Sequence, residues 1–157
     1  MPSTIGTFKI IGVLGLGLLT GTSYTLSTLS LPALLTLPSA RPASYTLSQT
    51  TRLTTLHTRA LSTISATSLF LAFYLSPSHL RHPYLLWTGA VAGLSGGLNL
   101  LMGARDKKAV AIEDVEDVNG EQVERRARSA QMVEFVRTGV AGLGFVMGVI
   151  GVWGDGA

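Results

Sequence analysis

The stretch "SHLRHPYLLWTG", Ser78 to Gly89, gathers the side chains best able to do chemistry. His79 and His82 stand three apart, a spacing that suits two ligands on one helical turn, with Arg81 between them and Tyr84 just beyond. A zinc centre needs three or four ligands held together. The third histidine, His57, lies at the far end of the preceding apolar segment, no carboxylate is near in sequence, and the chain has no cysteine. A metal site is therefore not expected. Glu113, Asp114, Glu116 and Asp117 form an acidic cluster, but paired carboxylates do acid–base or metal work only inside a pocket, and nothing in their surroundings predicts one. No serine has an arguable general base in reach. There is no phosphate-binding or dinucleotide signature, and "GVLGLG" is a chance spacing of glycines within an apolar run. The expectation is no catalytic residue, no metal and no cofactor: not an enzyme.

The elements around these residues explain them better. Charged residues make up 13% of the 157-residue chain, about half the usual share, and mean hydropathy is +0.40. The net charge of +3 is too small and too scattered for a nucleic-acid partner. Four segments approach membrane-spanning length: about 10–30, 57–75, 84–102 and 135–153. The first has only Lys9 in front of it and is longer than the apolar core of a usual signal peptide, so it reads as a retained helix. The predicted fold is all-α, a four-helix bundle in one multi-pass membrane domain, with the lipid bilayer as its surround. Arg59 and Arg137 are expected to snorkel from the ends of the second and fourth spans.

The connections differ. The first, about Leu31 to Thr58, is rich in Ser and Thr, and Pro32, Pro38 and Pro42 speak against regular helix. The second, "SPSHLRHP", is a tight turn whose His, Arg, Tyr84 and Trp87 suit the headgroup zone. The third, 103–134, is charged and partly helical. In its second half Asn119 can act as N-cap, and Glu121–Arg125 and Glu124–Arg128 are i,i+4 pairs. That helix is expected to lie on the surface or to run into the fourth span. Basic residues near span ends put the first and third connections in the cytosol, and both termini on the opposite side. Gly17 and Gly21, then Gly89, Gly93 and Gly97, then Gly144 and Gly148 form small-residue ridges that let helix backbones approach. They serve packing within the bundle, or contacts with further copies or other membrane proteins.

"LRHPYLL", Leu80 to Leu86, sits after a span ending "LAFYLSP" and just before the next. With the glycine-rich ending Gly144 to Gly156, it resembles the fungal autophagy-related protein 33 family. Leu80, Arg81, His82, Pro83, Tyr84 and Trp87 carry that likeness and also read as an interface anchor. The resemblance implies a small multi-pass protein of the mitochondrial outer membrane that promotes selective autophagy of mitochondria. Its termini would then face the intermembrane space. Glu113, Asp114, Glu116, Asp117, Arg125, Arg126 and Arg128 would form a cytosolic surface for the autophagy machinery. The loop before the last span is shorter than in the yeast member and offers only Ser129 for phosphorylation. A direct receptor motif, aromatic then aliphatic three positions on in an acidic strand, is matched only by "FKII", Phe8 to Ile11, at a membrane boundary. The alternative is a small integral-membrane enzyme. "LPALL", Leu31 to Leu35, loosely resembles anthrone-oxygenase-like proteins, and His79, Arg81, His82 and Tyr84 would then line an interfacial site.

Overall fold

The structure, a computed structural model, describes residues 2–77, 81–110 and 120–154. Among them there are only helices, and the all-α expectation holds. Helix α1 (Pro2–Thr25) continues through a π-helical turn, Leu26–Ser30, into the short α2 (Leu31–Leu34). Helix α3 spans Ala40–Leu75, α4 Tyr84–Val110 and α5 Gly120–Gly154. At 1.5 Å per residue the 36 residues of α3 extend about 54 Å, well beyond the ~30 Å hydrocarbon layer of a bilayer. The four long helices run alternately up and down. Each packs on two neighbours, in the cyclic order α1, α3, α4, α5.

The first connection is a correction to the sequence reading. Two of its three prolines, Pro32 and Pro42, lie in the first turn of a helix instead of breaking one. Pro32 stands in the first turn of α2, and Pro42 is the third residue of α3. The N–H groups of a helix's first turn have no intrahelical acceptor, so Pro42 loses nothing there; Pro32 follows closely on the π-helical turn and leaves one carbonyl of that turn without a backbone donor. Pro38 lies in the turn between the two, which tightens through Leu35 N–H to Pro32 O and Thr36 N–H to Ala33 O. Extended Ser39 then starts α3, which runs unbroken from Ala40 through the second apolar segment. The third connection is also more helical than expected: α4 continues to Val110, and α5 runs from Gly120 straight into the last apolar segment. The proposed cap Asn119 and the acidic residues Glu113, Asp114, Glu116 and Asp117 lie outside the described residues.

Two apolar clusters lie one above the other. The larger joins Val13, Leu16 and Leu19 to Leu69, Ala72, Leu85, Ala92 and Ala141 between the four long helices. The smaller joins Leu31, Leu34, Ala43, Leu47, Val123 and Ala127, and forms a cap at the end of the bundle where the first connection lies.

Glycine sets the approach in the larger cluster. A Cβ on Gly144 would lie 2.7 Å from Val91, and one on Gly148 2.7 Å from Val13. Phe145 fills the space over Gly17, and the Phe70 ring lies over Gly89. Gly12, Gly15, Gly96 and Gly151 do the same work against Leu69, Ser65, Ser62 and Tyr84, outside the ridges that the sequence suggests. Gly21, Gly93 and Gly97 meet nothing within 4 Å in this chain.

Adjacent glycines give a controlled test. A Cβ on Gly96 would fall 2.8 Å from that of Ser62, whereas Gly97 faces open space. Gly96→Leu is expected to lower stability by about 1–3 kcal/mol, and Gly97→Leu by less than about 0.5 kcal/mol. Unfolding of the purified variants in detergent checks this.

Candidate functional site

The opening histidine–arginine stretch does not assemble a reactive site. Arg81 donates from Nε to the Ser76 carbonyl at 2.9 Å and from a terminal nitrogen to the Tyr74 carbonyl at 3.3 Å. Its guanidinium also lies over the Phe73 ring, 5.8 Å from the centroid. Arg81 therefore closes the C-terminal carbonyls of α3, where a cation also suits the helix dipole. His82 stacks on Tyr84 with centroids 6.1 Å apart. Pro83 precedes α4 and accepts from Leu86 N–H, and Trp87 stands exposed one turn in. His79 and Leu80 lie outside the described residues. Among the described residues no three metal-ligating side chains come together.

The chemically unusual place is elsewhere, inside the bundle. Arg137 is 0% exposed, although its place at the start of the last apolar segment predicts that it reaches the surface. Arg59, by contrast, is exposed. Position explains the difference. Arg137 shares the inward face of α5 with Glu134, Ala141, Gly144 and Gly148, at the helical intervals of three and four. Its Nη1 pairs with Glu134 Oε1, and its Nε donates to the Ser95 carbonyl of α4 at 3.1 Å. A buried guanidinium is tolerable only when paired and hydrogen-bonded, and these contacts supply both requirements. Glu134 Oε2 is buried and has no hydrogen-bond partner among the described residues.

One turn further toward the cap, Gln131 Nε2 donates to the Ser27 carbonyl at 2.9 Å. The need for that bond can be traced to Pro32. The Leu31 N–H, the α-helical partner of Ser27 O, bonds Leu26 O in the π register instead. The next candidate donor is residue 32, and proline has no N–H. The Ser27 carbonyl is left for a side chain to satisfy, and α5 provides it.

Serines and threonines complete the layer. Ser23, Ser27, Thr58, Ser62, Ser65 and Ser95 are all buried. Most hydroxyls bond carbonyls, as in Thr58 to Thr54 and Ser95 to Val91; Ser62 reaches across to Ala92 of α4. Outward-facing Thr22, Thr25 and Thr67 bond their own helix four residues back. Such back-bonding lets a Ser/Thr-rich helix meet apolar surroundings without an unsatisfied hydroxyl. The sequence does carry a signal for the inward set: Thr58, Ser62, Ser65 and Ser68 recur at intervals of three and four along α3.

The large apolar side chains point the other way. Leu94, Leu143 and Ile150 are 67–69% exposed, and Leu14, Leu18, Phe70, Leu71, Val146 and Trp153 also face outward. An open apolar groove between α1 and α5, lined by Leu14, Gly17, Leu18, Gly21, Tyr24 and Phe145, continues this surface. At the cap, Arg125 pairs with Glu121 and Arg128 with Glu124, at 2.5 and 2.8 Å, as the i,i+4 spacing predicts. Arg126 is half-buried.

The comparisons with known proteins agree with one another. The family described as autophagy-related protein 33 matches residues 1–117. An autophagy-related protein 33 from Gibberella zeae is 34% identical over 185 aligned positions, covering 99% of this chain and 93% of that protein. No solved structure matches the fold.

Removing Arg137 strands Glu134. Arg137→Ala is expected to destabilise by about 3–5 kcal/mol, whereas Glu134→Leu with Arg137→Met recovers most of the loss. Arg128→Ala, at a solvated pair, should change stability by less than about 1 kcal/mol. Denaturant titration of the parent and these variants in detergent measures this. The Pro32 argument makes a separate prediction: Gln131→Ala costs about 1–3 kcal/mol by orphaning the Ser27 carbonyl. That cost shrinks in a Pro32→Ala background, where the backbone regains its donor; a double-mutant cycle reads the coupling.

Proposed function

The chain belongs to the autophagy-related protein 33 family, and from that membership we propose that it is a non-enzymatic, multi-pass protein of the mitochondrial outer membrane. It promotes selective autophagy of mitochondria there, as a membrane scaffold or adaptor. The name of its Gibberella zeae relative supports the autophagy role. The observation that carries the membrane reading is the layering: glycines, serines and an ion pair share the interior with a few leucines, while most of the large apolar side chains, both tryptophans among them, face outward.

Two helical stretches, Thr4–Leu34 and Gly120–Gly154, are apolar enough on their own to cross a membrane. Helix α3 is less apolar in sequence, but its polar residues Thr58, Ser62, Ser65 and Ser68 face the bundle interior. Its outward residues at the same level are Ile64, Phe70 and Leu71 together with Thr63 and Thr67, the latter bonded back to the Thr63 carbonyl. In this reading all four long helices span. Tyr74, Trp87 and Trp153, all exposed, mark one interface, where amphipathic rings settle. From Trp153 back to Phe135 is about 27 Å of helix, close to the thickness of the hydrocarbon layer. The Glu134–Arg137 pair then sits just inside the opposite interface, where pairing within the bundle replaces snorkelling. The cap and the charged connection lie beyond it, on the basic side of the molecule. That side faces the cytosol, and both termini face the intermembrane space.

The reading of a scaffold rather than an enzyme draws support from Arg81 and His82, whose polar and aromatic groups are engaged in closing α3 and stacking on Tyr84. The cap presents its surface to cytosolic partners.

Deleting the gene should reduce delivery of a mitochondrial matrix reporter to the vacuole during starvation, with bulk autophagy unchanged; unaltered mitochondrial turnover contradicts the proposal. In intact mitochondria, trypsin should cut a tagged copy at Arg125 to Arg128. Protection there would invert the topology.

A further inference from the structure

Helix α3 carries two cations that the chain leaves unmatched. Arg81 caps α3, Arg137 is held by Glu134, and Arg125 and Arg128 pair with glutamates on their own helix. Lys9, Arg41 and Arg126 also have partners within the chain. Among the residues whose side chains the structure describes, Arg52 and Arg59 remain: both are exposed, and neither makes an ion pair or a hydrogen bond. The 36 residues of α3 include no aspartate or glutamate that could answer them. Arg52, Leu56, Arg59 and Thr63 follow intervals of four, three and four, and all four are exposed. At 100° per residue they fall within about 60° of one another, on a single stripe.

Two contacts across α4 set the depth of this stripe. Ser62 of α3 donates to the Ala92 carbonyl, and Arg137 of α5 donates to the Ser95 carbonyl, one turn further along α4 toward the cytosol. Helix α3 runs the opposite way, so one turn from Ser62 toward the cytosol is Arg59. Arg59 therefore lies near the level of the Glu134–Arg137 pair, just inside the cytosolic interface in the proposed placement. Arg52 stands two turns further out, about 10 Å along the helix. The headgroup zone reaches about 5–8 Å beyond the hydrocarbon on each face of a bilayer, and the two arginines bracket it. Helical side chains tilt toward the helix N-terminus, which for α3 is the cytosolic end, so the Arg59 stem leads its guanidinium outward, toward Arg52. What stands at that depth outside the protein is lipid phosphate. A guanidinium presents a planar fork that grips phosphate oxygens in pairs. The phosphate of a zwitterionic lipid already has an ammonium of its own, whereas an anionic lipid brings the charge that two unmatched arginines require. Below Arg59 the same side of α3 continues through Thr63 to exposed Phe70, where acyl chains can lie.

We propose that Arg52 and Arg59 form a binding site for an anionic phospholipid of the cytosolic leaflet, with both guanidiniums on its headgroup phosphate and Leu56 between them against its glycerol backbone. The inference rests on the membrane placement proposed above, which puts this part of α3 at the cytosolic interface.

The test uses the full chain in detergent micelles with phosphatidylglycerol and phosphatidylcholine of identical acyl chains, and counts bound lipid by native mass spectrometry. The expected result is tighter binding of phosphatidylglycerol. Arg52→Gln or Arg59→Gln should reduce that preference about fivefold, and the two together should abolish it. Arg52→Lys with Arg59→Lys should keep most of it, because the charges stay. Arg125→Gln, out in the cap, should leave it unchanged. Both arginines are exposed, so thermal unfolding of the variants should match the parent. The proposal is overturned if the two lipids bind equally, if the glutamine variants keep the preference, or if Arg125→Gln lowers it as much. It is also overturned if soluble glycerol phosphate displaces the lipid, which would make the ligand a free phosphate. The chain has no cysteine, so a nitroxide on Thr63→Cys reports depth separately in liposomes. Oxygen-dominated collisions there without a lipid preference remove the site and leave the membrane reading intact. Collisions dominated by a water-soluble nickel chelate remove both.

Discussion

A guanidinium with no exposed surface has to be neutralised and hydrogen-bonded where it lies, and in this protein that requirement joins α4 and α5. Arg137 is held by Glu134 on its own helix and by the Ser95 carbonyl across the interface. Below this pair the helices close on glycine, at Gly144 against Val91 and Gly148 against Val13. Above it Gln131 reaches the carbonyl that Pro32 leaves without a donor, tying α5 to the π-helical turn. A slip of α5 by one residue would carry Arg137 out of reach of Ser95 and bring bulkier side chains to the glycine positions. The polar layer therefore fixes register, the role for which buried polar groups are best attested.

The same arrangement explains how a chain with so much serine and threonine is compatible with lipid. Hydrocarbon offers helices no hydrophobic reason to associate, so close packing and internal hydrogen bonds must hold them. In the proposed membrane placement, small residues inside allow the approach, back-bonding of most hydroxyls lowers the penalty of polarity, and the large apolar side chains outside would meet the acyl chains. In water this distribution of residues would be unfavourable, because it would expose a belt of leucine, phenylalanine and tryptophan.

The apolar segments, the all-helical class and the two ion pairs at the start of α5 were legible in the sequence, because each rests on local spacing. Gly17, Gly89, Gly144 and Gly148 were also legible as contact points. Gly21, Gly93 and Gly97 match the same pattern and touch no other helix, since spacing alone does not say which face meets a neighbour. Pro32 and Pro42 misled, because proline ends a helix or begins one according to its place within the first turn. Arg137 misled for a different reason. Its position at the end of an apolar run favours snorkelling, and only its sharing of a face with Glu134 and Gly144 reveals that it points inward. The "LRHPYLL" string was informative about family, while its Arg81 proved to be a helix cap.

The central claim is that the bundle is turned inside out for lipid. Nitroxide labels placed at Leu94, Leu143 and Ile150 in liposomes measure it directly, through collisions with oxygen, which concentrates in the bilayer, and with a water-soluble nickel chelate. The account predicts oxygen-dominated collisions at all three positions and nickel-dominated collisions at Arg125 in the cap. Nickel-dominated collisions at Leu143 and Ile150 would show that these faces meet water, and would contradict it.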